Sequence, residues 1–270
     1  MTRAAAIQMT SGTDVGANLR EAARLITAAA RAGAHLVVLP ENFSCMPKAE
    51  TDRLAIAEDD GAGPAQDFLS QQARTHKIWL VGGTLPLRAA TPDKLRAACL
   101  VYDDRGERIA RYDKIHLFDV RLANGEVYQE SRSIEPGSEL IVVDTPLGRL
   151  GLAVCYDVRF PELFRGLLDR GAELLALPAA FTAHTGRAHW EVLLRARAIE
   201  NFCYVIASAQ CGVHANGRHT YGDSMIVSPW GEVLDRLPQN TGYAIGEPDR
   251  ALQAQLRTSL PAIEHRRIRA

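Results

Sequence analysis

The chain has no excess charge of either sign: 31 Lys and Arg stand against 32 Asp and Glu, a formal net charge of -1, with no long run of one sign. A protein that neutralises several phosphates carries a basic stripe, so nucleic acid and acidic membrane surfaces are not expected partners. The densest basic stretch, Glu264-His265-Arg266-Arg267-Ile268-Arg269, reads as a solvated terminus or, with the rest of a tail over 255–270, as a segment at a subunit interface. Long apolar runs are missing too. Leu36 to Pro40 and Leu150 to Cys155 fall far short of the ~20 residues a membrane-spanning helix needs. The first nine residues read as a strand rather than a leader, so a cytoplasmic setting is expected. The five cysteines, at 45, 99, 155, 203 and 211, are odd in number and scattered without a C-x-x-C pair, which argues against a disulfide framework. The nearest histidine pairs, His184 with His189 and His214 with His219, are five apart and do not stack on one helical face, so no zinc site is expected. Neither G-x-G-x-x-G nor G-x-x-x-x-G-K-[ST] occurs, which removes the simplest dinucleotide or triphosphate site.

What is there is core-forming material. Of 270 residues, 47% are hydrophobic and 23% charged, enough to bury a sizeable core and to exclude disorder as the main state. Ala4 to Met9 reads as a strand, and 18–32 as a helix with apolar residues at Leu19, Ala22, Ala23, Leu25, Ile26 and Ala29. Gly33 stops that helix, and Leu36-Val37-Val38-Leu39-Pro40 reads as a buried parallel strand. The grammar returns at 150–154 (strand), 161–170 (helix), Gly171 (stop) and 174–178 (strand), so that Gly33 to Phe43 echoes Gly171 to Phe181. Two related strand-helix-strand units, joined by an approximate internal two-fold, are predicted. Further strands are expected at 78–82, 97–102, 141–144, 204–209 and 224–228, further helices at 64–76 and 189–200, and hairpin turns at 103–106 and 229–232. No Pro, Gly or Ser-rich linker divides the chain, and one α/β domain over 1–270 is expected, with mixed sheets inside and helices outside.

The most informative segment runs from Gly151 to Glu162. A buried strand meets Cys155 and then a helix that Pro161 is suited to begin, the layout of a nucleophile elbow. By itself this context serves a core cysteine equally well. A thiol that attacks a carbonyl needs a base, and no histidine stands in a distinctive Cys-His setting. Glu41, just past the strand that ends at Pro40, is the candidate, because ligands gather beyond the carboxyl ends of strands in open α/β sheets. Lys114, among Ile115, Leu117 and Phe118, is a candidate for an ammonium in a dry site, although a lysine there usually buries only its stem. Glu130 carries less signal by itself. Asp157, Arg159 and Glu162 read mainly as residues that fix the helix entry.

The ordered set Pro40-Glu41-Asn42-Phe43, Tyr112 to Asp119 and Cys155 to Glu162 resembles the nitrilase superfamily of carbon-nitrogen hydrolases over nearly the whole chain. Gln129-Glu130-Ser131, Pro136-Gly137, Ala188-His189-Trp190-Glu191, Arg195 to Glu200 and Ala209 to Gly212 are most similar to its deaminated-glutathione amidase branch, with the ω-amidases as near neighbours. Two departures stand out: Asp113 where Arg is common, and Arg187 where Pro often precedes Ala-His-Trp. The resemblance implies a four-layer α-β-β-α sandwich that assembles as a homodimer or higher homo-oligomer. It implies a cysteine-dependent amidase that converts a small carboxylate-bearing amide to acid plus ammonia through a thioester, with no metal or organic cofactor. Glu41 would be the base, Cys155 the nucleophile, and Lys114 with the Tyr156 backbone N–H the oxyanion donors, while Glu130 orients Lys114. Phe181, His184, Arg187, His189, Gln210 and Cys211 are substrate-binding candidates, with 181–190 read as a specificity loop and Arg187 or His184 meeting a substrate carboxylate. The alternatives are an ω-amidase acting on α-ketoglutaramate and a catalytically idle binding or scaffold member.

Overall fold

A computed structural model describes residues 2–49, 52–122 and 125–268. The chain opens with β1 (Arg3–Gln8), α1 (Val15–Arg31), β2 (Ala34–Val38), the single turn α2 (Asp52–Ala55), α3 (Pro64–His76) and β3 (Trp79–Val81). Next come β4 (Leu85–Arg88), β5 (Leu95–Tyr102), β6 (Arg108–Asp113), and the ribbon of β7 (Asp119–Arg121) and β8 (Val127–Gln129). The second alternation is β9 (Val142–Thr145), β10 (Gly148–Leu152), α4 (Pro161–Asp169), β11 (Leu174–Ala179), α5 (Ala183–Asn201) and β12 (Tyr204–Ala209). The last elements are β13 (Cys211–Val213), β14 (His219–Tyr221), β15 (Ser224–Val227), β16 (Val233–Leu237), β17 (Gly242–Gly246) and α6 (Arg250–Ser259).

Two sheets result. One has the order β17-β1-β2-β3-β5-β4, with β6 on β5; the other has the order β16-β15-β12-β11-β10-β9. In each, three parallel strands (β1, β2 and β3; β10, β11 and β12) are joined through crossover helices and flanked by antiparallel strands. Alternation along β1 and β2 shows the layering. Ala4, Ala6, Leu36 and Val38 cluster with Leu150, Leu152 and Leu175 of the second sheet, whereas Ala5, Ile7, Val37 and Leu39 meet Ala22, Leu25, Ile26, Leu69 and Ala73 of α1 and α3. On the far side, Phe164 and Leu167 of α4 and Trp190 and Leu194 of α5 cover the second sheet. Both faces of the parallel strands are therefore buried, which explains why they read as continuous apolar runs. Each fully buried Leu there contributes roughly 1.5–3 kcal/mol.

Helix boundaries follow local chemistry. The Asp14 side chain accepts from the Ala17 N–H at 2.8 Å, so α1 starts at Val15, three residues before the expected start at 18. Gly33 and Gly171 take φ of +89° and +83° at corresponding helix ends, as the internal echo requires. One expectation needs correction: 181–190 is not a loop. Thr182 caps a helix there, its hydroxyl 2.8 Å from that of Thr185, and α5 begins at Ala183. The first part of the 255–270 tail likewise completes α6, and Arg266 beyond it pairs with Asp169 at 2.6 Å. No described helix is long and apolar enough to cross a membrane.

Candidate active site

The nucleophile position is held in strain. After β10 the chain runs through Ala153 and Val154 to Cys155, which takes a φ of +48° and opens a 3-10 turn over Cys155–Arg159 before Pro161 starts α4. A non-glycine residue in this region costs about 1–3 kcal/mol and persists only where neighbours over-determine it. Asp157 does this. Fully buried, its carboxylate accepts from Val154 N–H at 2.8 Å, Tyr112 Oη at 2.7 Å and His116 N–H at 3.0 Å, and lies 2.7 Å from His116 Nδ1. The His116 ring stacks on Phe160 with centroids 3.7 Å apart. Asp157, Arg159 and Glu162, adjacent in sequence, thus take separate tasks: Glu162 is exposed, and Arg159 lies over the Phe181 and Tyr156 rings at 4.9 and 5.8 Å.

Glu41 arrives from the other sheet, three residues past β2. A Cβ on Gly83 would sit 2.1 Å from the Pro40 carbonyl oxygen, so only glycine lets that neighbouring strand end approach Glu41's turn. Asn42 follows with φ +57°, and its N–H donates to Thr84 Oγ1 at 2.9 Å. The Glu41 carboxylate accepts from Lys114 Nζ at 2.8 Å and from the Ala180 N–H at 2.8 Å. The Cys155 thiol lies on the same cavity lining, and each of the two groups bears on the other's titration. Lys114, delivered just after β6, donates to both oxygens of Glu130 at 3.0 and 2.8 Å. Glu130, in the short turn after β8, is itself fixed by the Phe118 N–H at 2.7 Å. Four groups spread over 115 positions of sequence therefore meet, with Glu41, Lys114 and Cys155 only 4, 2 and 6% exposed.

Burial and charge set their protonation. Burial pushes the Glu41 carboxyl up, but Lys114, then Arg218 and the Cys155 thiol, outweigh it and hold the group below its ordinary value. Burial pulls Lys114 down, but Glu130 and Glu41 more than offset it, and the ammonium is held above the ordinary lysine range. Burial and then the Glu41 charge raise the Cys155 thiol against the opposing pull of Lys114 and the Ala180 N–H. The resting set is carboxylate, ammonium and neutral thiol.

These groups floor a cavity of about 90 Å³ walled by Phe118, Tyr128, Tyr156, Phe181, Thr182 and Thr185, with Arg53, Arg159 and Arg218 also on its lining. Of the sequence candidates, Glu41, Lys114, Glu130, Cys155, Tyr156 and Phe181 line it. The others do not. His184, Arg187 and His189 lie on the exposed side of α5, because the helix turns Thr182 and Thr185 inward instead; His189 meets Arg159 of the cavity lining at 3.2 Å. Gln210 is fully buried behind Glu41, bonding Ser11 Oγ at 2.8 Å and the Glu41 carbonyl at 3.1 Å. Cys211 pairs with Thr10, 3.3 Å from its hydroxyl. Missing from the sequence reading were the cationic wall, Arg53 and Arg218, and the part that Arg159 plays in it. Arg218 stands in a short turn with no periodic signal, and Arg53 in a single helical turn.

Comparison with known proteins places this arrangement. The carbon-nitrogen hydrolase family model matches residues 3–258. A deaminated glutathione amidase of Synechocystis sp. is 45% identical over 268 residues, 97% of each chain. A solved structure of a Saccharomyces cerevisiae member of branch 10 of the nitrilase superfamily is 32% identical with a TM-score of 0.89, covering 99% of this chain and 97% of that one. The Caenorhabditis elegans NitFhit structure is 40% identical with a TM-score of 0.87 and covers 98% of this chain, which spans 65% of the length of that longer one. These structural likenesses agree with the expected sandwich, and the family match takes in the turns that carry Glu41, Lys114 and Cys155: the chain belongs to the carbon-nitrogen hydrolase family and is an amidase.

Proposed function

We propose that the chain hydrolyses deaminated glutathione through a thioester on Cys155. The observation that carries the chemistry is the Glu41 carboxylate, bonded at once to the Lys114 ammonium and the Ala180 N–H, on the lining of the same small cavity as the Cys155 thiol. Because the thiol rests neutral, its proton passes to Glu41 as sulfur attacks the amide carbonyl. The oxyanion meets Lys114 and the Tyr156 N–H, donors whose loss in comparable sites costs roughly 3 kcal/mol or more. Glu41 then protonates the departing amine as the C–N bond breaks. In the second half, Glu41 takes a proton from water, the resulting hydroxide attacks the thioester, and the acid leaves as Cys155 regains its proton. Glu130, bound to Lys114 through both oxygens, keeps the ammonium aimed.

The substrate reading rests on the Synechocystis relative's name and on the cationic wall. Deaminated glutathione carries a carboxylate at each end, and Arg159 and Arg218 are placed to meet them. This replaces Arg187 and His184 in the role of carboxylate partner, since both face away from the cavity. The expected product also changes: cleavage of the γ-amide of deaminated glutathione releases cysteinylglycine, whereas ammonia is the leaving group of α-ketoglutaramate. Both substrates yield α-ketoglutarate, which is therefore the product to measure. Wild type is assayed on the two in parallel with Cys155→Ala as blank. Preference for deaminated glutathione, abolished in the variant, is expected. Preference for α-ketoglutaramate moves the chain to the ω-amidases, and release that survives Cys155→Ala removes the thioester route.

We further infer a homodimer, on the support of an exposed apolar stripe of α5, Val192 and Ile199, beside Trp230 of the β15–β16 turn. A reducing, cytoplasmic setting agrees with five free cysteines, all of them buried.

A further inference from the structure

Beside the catalytic cavity lies a second hollow between two loops, one carrying Pro47 and Lys48 and the other Asn216 and Arg218. Arg53, Val127, Tyr128 and Arg218 line both spaces, so the two adjoin along this wall. The loops are tied to each other: Asn216 Nδ2 donates to the Pro47 carbonyl at 2.9 Å, and the Asn216 side-chain oxygen accepts the Arg218 N–H at 2.9 Å. Arg218 is held in place by its bond to the Ala180 carbonyl at 2.5 Å and by the Tyr128 ring, 5.1 Å beneath its guanidinium.

Charge in the two spaces is unequal in a directed way. Inside, Lys114 is matched by two carboxylates, Glu41 and Glu130. Outside, Lys48, Arg53, Arg218 and Glu126 are the charged side chains on the lining, and Glu126 also takes the Tyr128 hydroxyl at 3.2 Å. A guanidinium held in place and lining a passage with other cationic side chains is matched by a planar anion. The passage leads outward from the reacting sulfur, so the anion belongs to a part of the substrate several bonds beyond the scissile amide.

We propose that this vestibule is a leaving-group subsite in which Arg218 and Lys48, with Arg53 at the neck, bind the terminal carboxylate of a dipeptidyl amine. The assignment rests on the substrate reading above and deepens it: the outer subsite is what separates a tailed amide from a primary one.

The test compares three substrates, deaminated glutathione, its C-terminal carboxamide and α-ketoglutaramate, in wild type, Lys48→Gln and Arg218→Gln. Arg218 also acts on Glu41, so Lys48→Gln, an exposed position that lines only the outer space, is the discriminating variant. Wild type is expected to favour the free acid over the carboxamide by about tenfold in kcat/KM, as a charge-assisted bond predicts. Both variants reduce that ratio several-fold, through KM, and salt reduces it in wild type. Equal rates for acid and carboxamide in wild type overturn the subsite while the substrate reading stands. A wild-type preference that both variants keep overturns its location. Turnover of α-ketoglutaramate alone overturns the substrate reading and the subsite together.

Discussion

The chemistry turns on one lysine. With Nζ bonded to two carboxylates in a nearly dry site, Lys114 compensates charge in the resting enzyme and offers charge to the oxyanion during reaction. Removing one partner of a buried ion pair strands the other, at about 3–5 kcal/mol. Lys114→Met is therefore expected to lose about that much stability at neutral pH and to lower kcat/KM at least about a hundredfold. The pH dependence separates the two losses. Glu41's folded value lies below its unfolded one, so in wild type its stabilisation is present above the unfolded value and is lost as pH falls through the folded one. Without Lys114, burial raises that carboxyl instead, and acid relieves the stranded charge. The gap in Tm between wild type and variant should thus narrow as pH falls through the carboxylate range, while activity stays lost. A gap of constant size across that range counts against the ion-pair account.

At the scale of elements, the elbow is stable because Asp157 closes it from four sides. Asp157→Asn keeps the size and removes one acceptor oxygen, so an interaction with Tyr112, His116 or Val154 must fail. We expect a loss of about 2 kcal/mol in urea unfolding and a fall in kcat with little change in KM, since the residue touches no part of the cavity. An unchanged kcat at reduced stability would limit Asp157 to folding. How far such elements were legible in sequence depended on whether their cause was local. The helix at Pro64–His76 and the strand at Tyr204–Ala209 carry their own signals, Pro at the start and an apolar run bounded by turns, and the structure has them at those residues. Glu41, Lys114 and Cys155 were legible as motifs, but their meeting was implied only by resemblance. The start of α5 was misread because His184, Thr185, Gly186 and Arg187 look polar and loop-like, whereas the Thr182 cap decides the matter. The short ribbon of β7 and β8 and the Arg218 turn depend on tertiary contacts with Phe118, Tyr156 and Ala180, which no local period records.

The whole molecule links that wall of the cavity to its outer surface. Helix α5 has its cap Thr182 and its first-turn Thr185 at the site and, about two and four turns later, exposes Val192 and Ile199 at 67 and 45%. The turn before β16 is fastened to the same face, with Arg195 Nε donating to the Gly231 carbonyl at 2.8 Å and Trp230 exposed by 56% beside it. An apolar stripe of this kind on a helix that backs the second sheet is a natural surface for a second copy, because pairing there buries Val192, Ile199 and Trp230 and adds a layer against α5. If so, association and catalysis are coupled, since the helix that makes the contact also carries the cavity's threonines. Val192→Glu combined with Trp230→Ser is expected to elute as a monomer on gel filtration, with a lower Tm and a several-fold lower kcat/KM. The milder Val192→Ala should weaken pairing only, so that its specific activity rises with protein concentration. A double variant that still elutes as a dimer places the interface elsewhere, and one that is monomeric yet fully active uncouples the α5 surface from the site it leads into.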